Sequence, residues 1–203
     1  PDLLGDVIPR HGTVGKLLMS LNERKIEDSQ HTVMTVPDYV RRVVTIGEST
    51  VDIMGAIGGE PYIVATDGSP YSSSTHINGR VELTVDSIKS YEPDVVVAPD
   101  STPPSLVSSL RAAGIPVFIY TKKDSFNDII LATKTIGKIF KDEDPEREFI
   151  VSRRNVKKLV EPHEKDKKPV IALYNSSHGV YRSGIVRDMI EQVHGIDGAG
   201  NLV

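Results

Sequence analysis

Five short apolar runs punctuate the chain: Val43-Val44-Thr45-Ile46, Tyr62-Ile63-Val64-Ala65, Val95-Val96-Val97-Ala98, Val117-Phe118-Ile119-Tyr120 and Val170-Ile171-Ala172-Leu173. Each is rich in β-branched residues, bounded by turn formers, and continuous rather than alternating. Strands covered on both faces read this way, and parallel sheets are built from them. Between the runs the spacing turns helical. Ser49 and Asp52 have capping-box spacing ahead of Ile53, Met54 and Ile57, with Gly58-Gly59 as the stop. Thr84 caps a short helix through Ile88, ahead of Pro93. Pro103 and Pro104 open a helix carrying Leu106, Val107 and Leu110, with Gly114 past its end. Ser125 and Asp128 form a second capping box, for a helix carrying Phe126, Ile129, Ile130, Thr133 and Phe140. This alternation predicts an α/β fold with right-handed crossovers and a parallel, Rossmann-like sheet.

From Asp144 to Lys165 the pattern changes. Dense charge with Phe149, Ile150, Val156, Leu159 and Val160 along it predicts a solvent-washed helix, from Pro145 to about Pro162. A new strand starts at Pro169, and a helix runs roughly from Gly184 to Val193. One strand and one helix cannot bury both faces, so this end reads as the opening of a second α/β lobe, truncated at Val203. Near the start, "GTVGKLLMSLNERK" suits a short helix and "HTVMTVPD" a short strand ending at Pro37. The expected organisation is an extension or linker over 1–31, a first lobe over 32–144, a connecting helix over 145–165 and the second lobe from 166. No internal repeat or low-complexity tract interrupts it.

Composition narrows the function classes. The 203 residues are 38% hydrophobic and 26% charged, an ordinary globular balance, and the net charge of −4 gives no footprint for nucleic acid or an anionic membrane. The absence of cysteine excludes disulfides, thiolate metal sites and cysteine nucleophiles. No apolar stretch approaches the roughly 20 residues of a membrane span. The chain begins at Pro1 rather than Met, which raises the expectation of a leader or anchor removed ahead of it.

Candidate chemistry gathers at strand ends. The turn Gly47-Glu48-Ser49-Thr50 joins a strand to a helix start, where free amides and the helix dipole suit an anion or an acceptor. It matches neither a P-loop nor a dinucleotide fingerprint, and Ser49 equally suits a plain cap. Thr66-Asp67-Gly68-Ser69 and Asp100-Ser101-Thr102 stand at the same carboxyl edge, where open α/β sheets bind ligands. The segment "YNSSHGVYRSG" carries Tyr174, His178, Tyr181 and Arg182; the arginine suits an anionic ligand and the tyrosines a flat one. A solvated loop with Tyr181 over apolar surface fits those residues equally well. The six histidines show no metal-ligand spacing, and no G-x-S-x-G elbow is present.

Taken together, the segments resemble the helical-backbone class of metal-chelate binding proteins that serve ABC importers. The carrying motifs are "TVMTVPDYVRRVVTIGEST", "GAIGGEPYIVATDGSPY", "VELTVDSIKSYEPDVVVAP", "LRAAGIPVFIY", "SFNDIILATKTIGKIF" and "KKPVIALYNSSHGVYRSGIVRDMIEQVHGIDGAGNLV". They run in family order over residues 32–203. The resemblance implies a solute-binding protein without catalytic chemistry or a cofactor of its own. Its cargo would be an iron-siderophore, haem or corrinoid, and the single arginine of the 174–184 loop leans toward a siderophore-like complex. It implies an extracytoplasmic place, a membrane tether outside this chain, and a long helix that keeps closure small. By the same resemblance the ligand contacts are Glu48, Ser49, Asp67, Ser101, Tyr181 and Arg182. Asp86 takes the place of the permease-docking acid, where glutamate is usual and an aspartate reaches less far. Two alternatives stay open: a chelatase-like enzyme using His178 or Glu48, and a surface-protein fragment whose cleft binds nothing.

Overall fold

The computed structural model describes residues 22–67, 77, 79–122, 124–141, 144–160, 170–171, 174–175, 179–180, 183–193 and 195–197. Its centre is a four-stranded parallel sheet of β3 (Val43–Thr45), β4 (Ile63–Thr66), β5 (Val95–Pro99) and β6 (Val117–Tyr120), in the order β4-β3-β5-β6. These are four of the five apolar runs, and both faces are buried. Strand residues alternate between the faces. Val43, Val95, Val97, Phe118 and Tyr120 join one apolar cluster, whereas Val44, Val96, Ala98, Val117 and Ile119 join the other.

Helices cover each face. On the first lie α1 (Glu48–Ala56) and α4 (Phe126–Gly137), through Val51, Met54, Ala132 and Ile136. On the second lie α2 (Val85–Lys89) and α3 (Pro104–Ala112), through Ile88, Val107 and Leu110. Thr84 and Ser125 cap as their sequence positions predict, accepting from the Ser87 and Asp128 amides. Ser49 does not. The cap of α1 is Gly47, and Ser49 sits inside the first turn.

The first lobe starts earlier than residue 32. Strand β1 (Glu23–Glu27) pairs antiparallel with β2 (Val33–Pro37), so Glu23, Arg24 and Lys25 are strand rather than the end of a helix. Pairing overrides local propensity here, because it buries Ile26 beside Val36. The connecting turn is tied to the far edge of the sheet. Buried Asp28 accepts from the amides of Gln30, Thr32 and Ile119 and from Arg111, and the Ser29 amide donates to the Ile119 carbonyl. The outer edge of β6 is thereby occupied.

After α4, a turn of 3-10 helix at Lys138–Phe140 leads to α5 (Arg147–Val160), the predicted charged helix, which is exposed along most of its length. Its root is pinned to α4 by Lys134 and Glu146, 2.7 Å apart. Beyond it, β7 (Val170–Ile171) pairs in parallel with β10 (Ile196–Asp197), with α6 (Gly184–Gln192) between them in the chain. The segment expected as a loop holds a short antiparallel ladder of β8 (Tyr174–Asn175) and β9 (Gly179–Val180).

Candidate functional site

Strand order fixes where a ligand can sit. From β3 the chain passes to β4 on one side and returns to β5 on the other, so the connections leaving β3 and β5 diverge at the carboxyl edge. The turn after β3 is held open by Gly47, at φ 84°, a conformation that disfavours any residue with a Cβ. The Gly47 N–H donates to Asp67 Oδ1 at 2.6 Å. Asp67 thus ties the ends of β3 and β4 together, and that amide is not left for a ligand.

Beside the turn lies a hollow of about 300 Å3. One wall is the i, i+3, i+4, i+7 stripe of α1: Ser49, Asp52, Ile53 and Ala56. The opposite wall is Asp128, Ile129, Ala132 and Thr133 of α4. Tyr120, Thr121 and Lys122 at the end of β6 close the third side, and Ile185 of α6 reaches in from beyond α5. Ser49 and Asp52, which look like a capping pair in the sequence, face this space instead.

Tyr120 is buried, with its hydroxyl 3.0 Å from Thr50 Oγ1, which in turn donates to the Ile46 carbonyl. Burial pushes the Tyr120 phenol above its usual range. The carboxylates of Asp100 and Asp52 push the same way, while the Thr50 hydrogen bond opposes them. The ring therefore stays a neutral phenol at physiological pH. The lining is largely apolar, with carboxylates from Asp52 and Asp128 and an ammonium from Lys122. Such a surface can hold one edge of a bulky ligand by contact and a few polar groups.

The predicted site residues separate. Ser49 lines the hollow. Glu48 is exposed at the start of α1, Ser101 is exposed in the turn after β5, and neither lines it. Asp67 is a turn clamp. Asp86 is exposed in the first turn of α2. Tyr181, Arg182 and His178 lie outside the described residues. Sequence reasoning missed Asp52, Tyr120 and Lys122. Tyr120-Thr121-Lys122 ends the fourth apolar run, so the strand-end rule that selected Ser49 and Ser101 selects these as well. Among the described residues no group of three or more histidines, aspartates or glutamates could hold a metal ion, and no helix is long and apolar enough to cross a membrane.

Known proteins share this architecture. A possible iron-binding (periplasmic solute-binding) protein from Staphylococcus epidermidis superposes with a TM-score of 0.62 at 16% identity, over 80% of this chain and 69% of that one. The apo periplasmic heme-binding protein RhuT from Roseiflexus sp. RS-1 gives 0.61 at 21% identity, over 81% and 68%. At these identities the likeness shows the fold. In sequence, a cobalamin-binding protein of Halobacterium salinarum is 28% identical over 119 residues, which are 55% of this chain and 32% of that protein. The aligned part thus spans about a third of the curated relative. The family model described as "Periplasmic binding protein", for binding proteins rather than enzymes, matches residues 43–199, from the first strand of the parallel sheet to beyond β10. With more than half of its length matched to that model, the chain belongs to the periplasmic binding protein family.

Proposed function

We propose that this chain captures a metal-bearing small molecule, such as a corrinoid, haem or ferric siderophore, outside the cytoplasm and delivers it to the permease of an ABC importer. The observation that carries this reading is the largely apolar hollow between α1 and α4, at the carboxyl edge of the sheet, in a member of a binding-protein family. At about 300 Å3 it stands at the lower end of the range for ligand pockets, so it holds one edge of such a cargo rather than all of it. Ser49, Asp52, Tyr120 and Lys122 are the proposed polar contacts on this wall, and Tyr181 and Arg182 are proposed to meet the ligand from the loop ahead of α6. Exposed Asp86 is the proposed docking acid, pairing with a permease arginine. A tether outside this chain would keep the protein beside its importer.

Corrinoid is the first ligand to test, because the curated relatives are named as cobalamin-binding proteins, whereas the siderophore preference rests on Arg182 alone. The chain has no tryptophan, so its tyrosine emission can be followed directly while cyanocobalamin, haemin and a ferric siderophore are titrated in. Saturable quenching by one of them is expected. Equilibrium dialysis, read by the ligand's own visible absorbance, should then show affinity lowered at least about tenfold by Ala56→Trp, which fills the hollow. Silence across the panel would overturn the carrier reading. Binding that ignores the filled hollow would move the site elsewhere.

A further inference from the structure

Two helix starts face one another where α4 and α6 meet, and each is crossed by a carboxylate from the other segment. The Gly184 N–H, first in α6, donates to Asp124 Oδ2 at 2.7 Å, and the Phe126 N–H, first in α4, donates to Asp188 Oδ2 at 2.6 Å. The first N–H of a helix finds no partner within its own helix, so each bond fills a vacancy that the fold creates. Both helix starts also carry partial positive charge and would repel on approach, which a carboxylate at each offsets. The caps Ser125 and Ser183 are separately occupied, accepting from the amides of Asp128 and Val186. The approach is close: a Cβ on Gly184 would stand 1.8 Å from the Asp124 carbonyl oxygen, so only glycine fits. Helix α5 completes the junction. The Arg153 guanidinium lies 5.0 Å over the Phe126 ring, and Gln192 Nε2 donates to the Arg153 carbonyl at 3.2 Å.

The residue after Gly184 is Ile185, which among the described residues is the one lining residue of the hollow that comes from beyond α5. The geometry points to a preset clasp: Asp124 and Asp188 hold α6 against α4 so that Ile185 stands at the hollow before any ligand arrives. Both aspartates are thereby positioning residues for ligand capture. The clasp stands on geometry alone, while its role in capture rests on the carrier reading above. Binding then requires little rearrangement on this side of the site, because the wall is already in place.

Two independent measurements test the two halves. The protein has no cysteine, so Ile185→Cys introduces a single thiol whose labelling rate reports how firmly that wall is held. Asp124→Ala and Asp188→Ala, which remove an acceptor, and Gly184→Ala, which forces α6 away from α4, are each expected to speed labelling by about tenfold in an otherwise folded chain. In the unmodified protein, the Phe126 and Gly184 amides should exchange with solvent more slowly than unbonded loop amides. Unchanged labelling in all three variants, or unprotected amides, overturns the clasp. For capture, the same variants should weaken binding of the best ligand among cyanocobalamin, haemin and a ferric siderophore by about fivefold, chiefly through faster dissociation. Faster labelling with unchanged dissociation overturns the positioning role. If the unmodified protein binds none of the three, the carrier reading and the positioning role fall together, while labelling and exchange still decide the clasp.

Discussion

Tyr120 links the core to the candidate site, since its ring closes one apolar cluster while its edge lines the hollow. Its raised pKa fixes the sign of a pH effect. Above about pH 10 an unfolded chain releases the phenolic proton while the folded chain keeps it, so stability falls as pH rises from there through the folded value. Tyr120→Phe is expected to flatten this alkaline loss, at a cost near neutrality of about 1 kcal/mol for the bond to Thr50. Urea denaturation at pH 8 and pH 11 checks both; equal alkaline slopes in the two proteins would refute the shift. At Gly47 the backbone decides instead. Gly47→Ala forces a residue with a Cβ to φ 84° and should cost about 1–2 kcal/mol. Single residues were the least legible part of the site. Ser49 lines the hollow and does not cap α1, because a spacing of three describes both a capping box and one stripe of a helix. Asp67 accepts from the Gly47 amide, and a strand-end carboxylate serves a neighbouring amide as readily as a ligand, which only geometry separates.

Elements were more legible, because burial on both faces leaves continuous apolar runs and caps leave fixed spacings. The four runs of the first lobe became the four parallel strands. Strand β1 escaped because "ERKIE" exposes three charged residues and buries one isoleucine, a pattern too short to separate from a helix end. Its anchoring shows how much depends on one side chain. Asp28→Ala strips three amides and Arg111 of their acceptor and should destabilise the lobe by about 3 kcal/mol, seen as a lower Tm. A change of only a few tenths would mean that the turn seats itself without it. The root of α5 predicts an acid limb. Lys134 holds the Glu146 carboxyl below its usual range, so the stability this adds is present above about pH 4.3 and fades as pH falls through the lowered value. Lys134→Met should make the acid unfolding curve shallower, and an unaltered curve would mean that the pair contributes nothing.

For the whole molecule, strand order places the hollow at the carboxyl edge, and the family match begins where the parallel sheet begins. Beyond α4 the chain continues through α5, β7, α6 and β10. The reciprocal bonds at the starts of α4 and α6 left no trace in the sequence. They join residues some sixty positions apart, and no local pattern encodes such a meeting.

The tie between the β1–β2 turn and β6 bears on how the protein is made. Ser29 and Ile119 are 90 positions apart, so a ribosome releases the hairpin long before the strand it seals exists. Asp28 meets Arg111 only after α3 is made and the Ile119 amide only after β6, and once β6 joins the sheet its outer edge stays bare until the hairpin docks. That interval is when one nascent chain can add its strand to another's sheet. A lesion in the hairpin would therefore show first as poor soluble yield, before any loss in the finished protein's affinity.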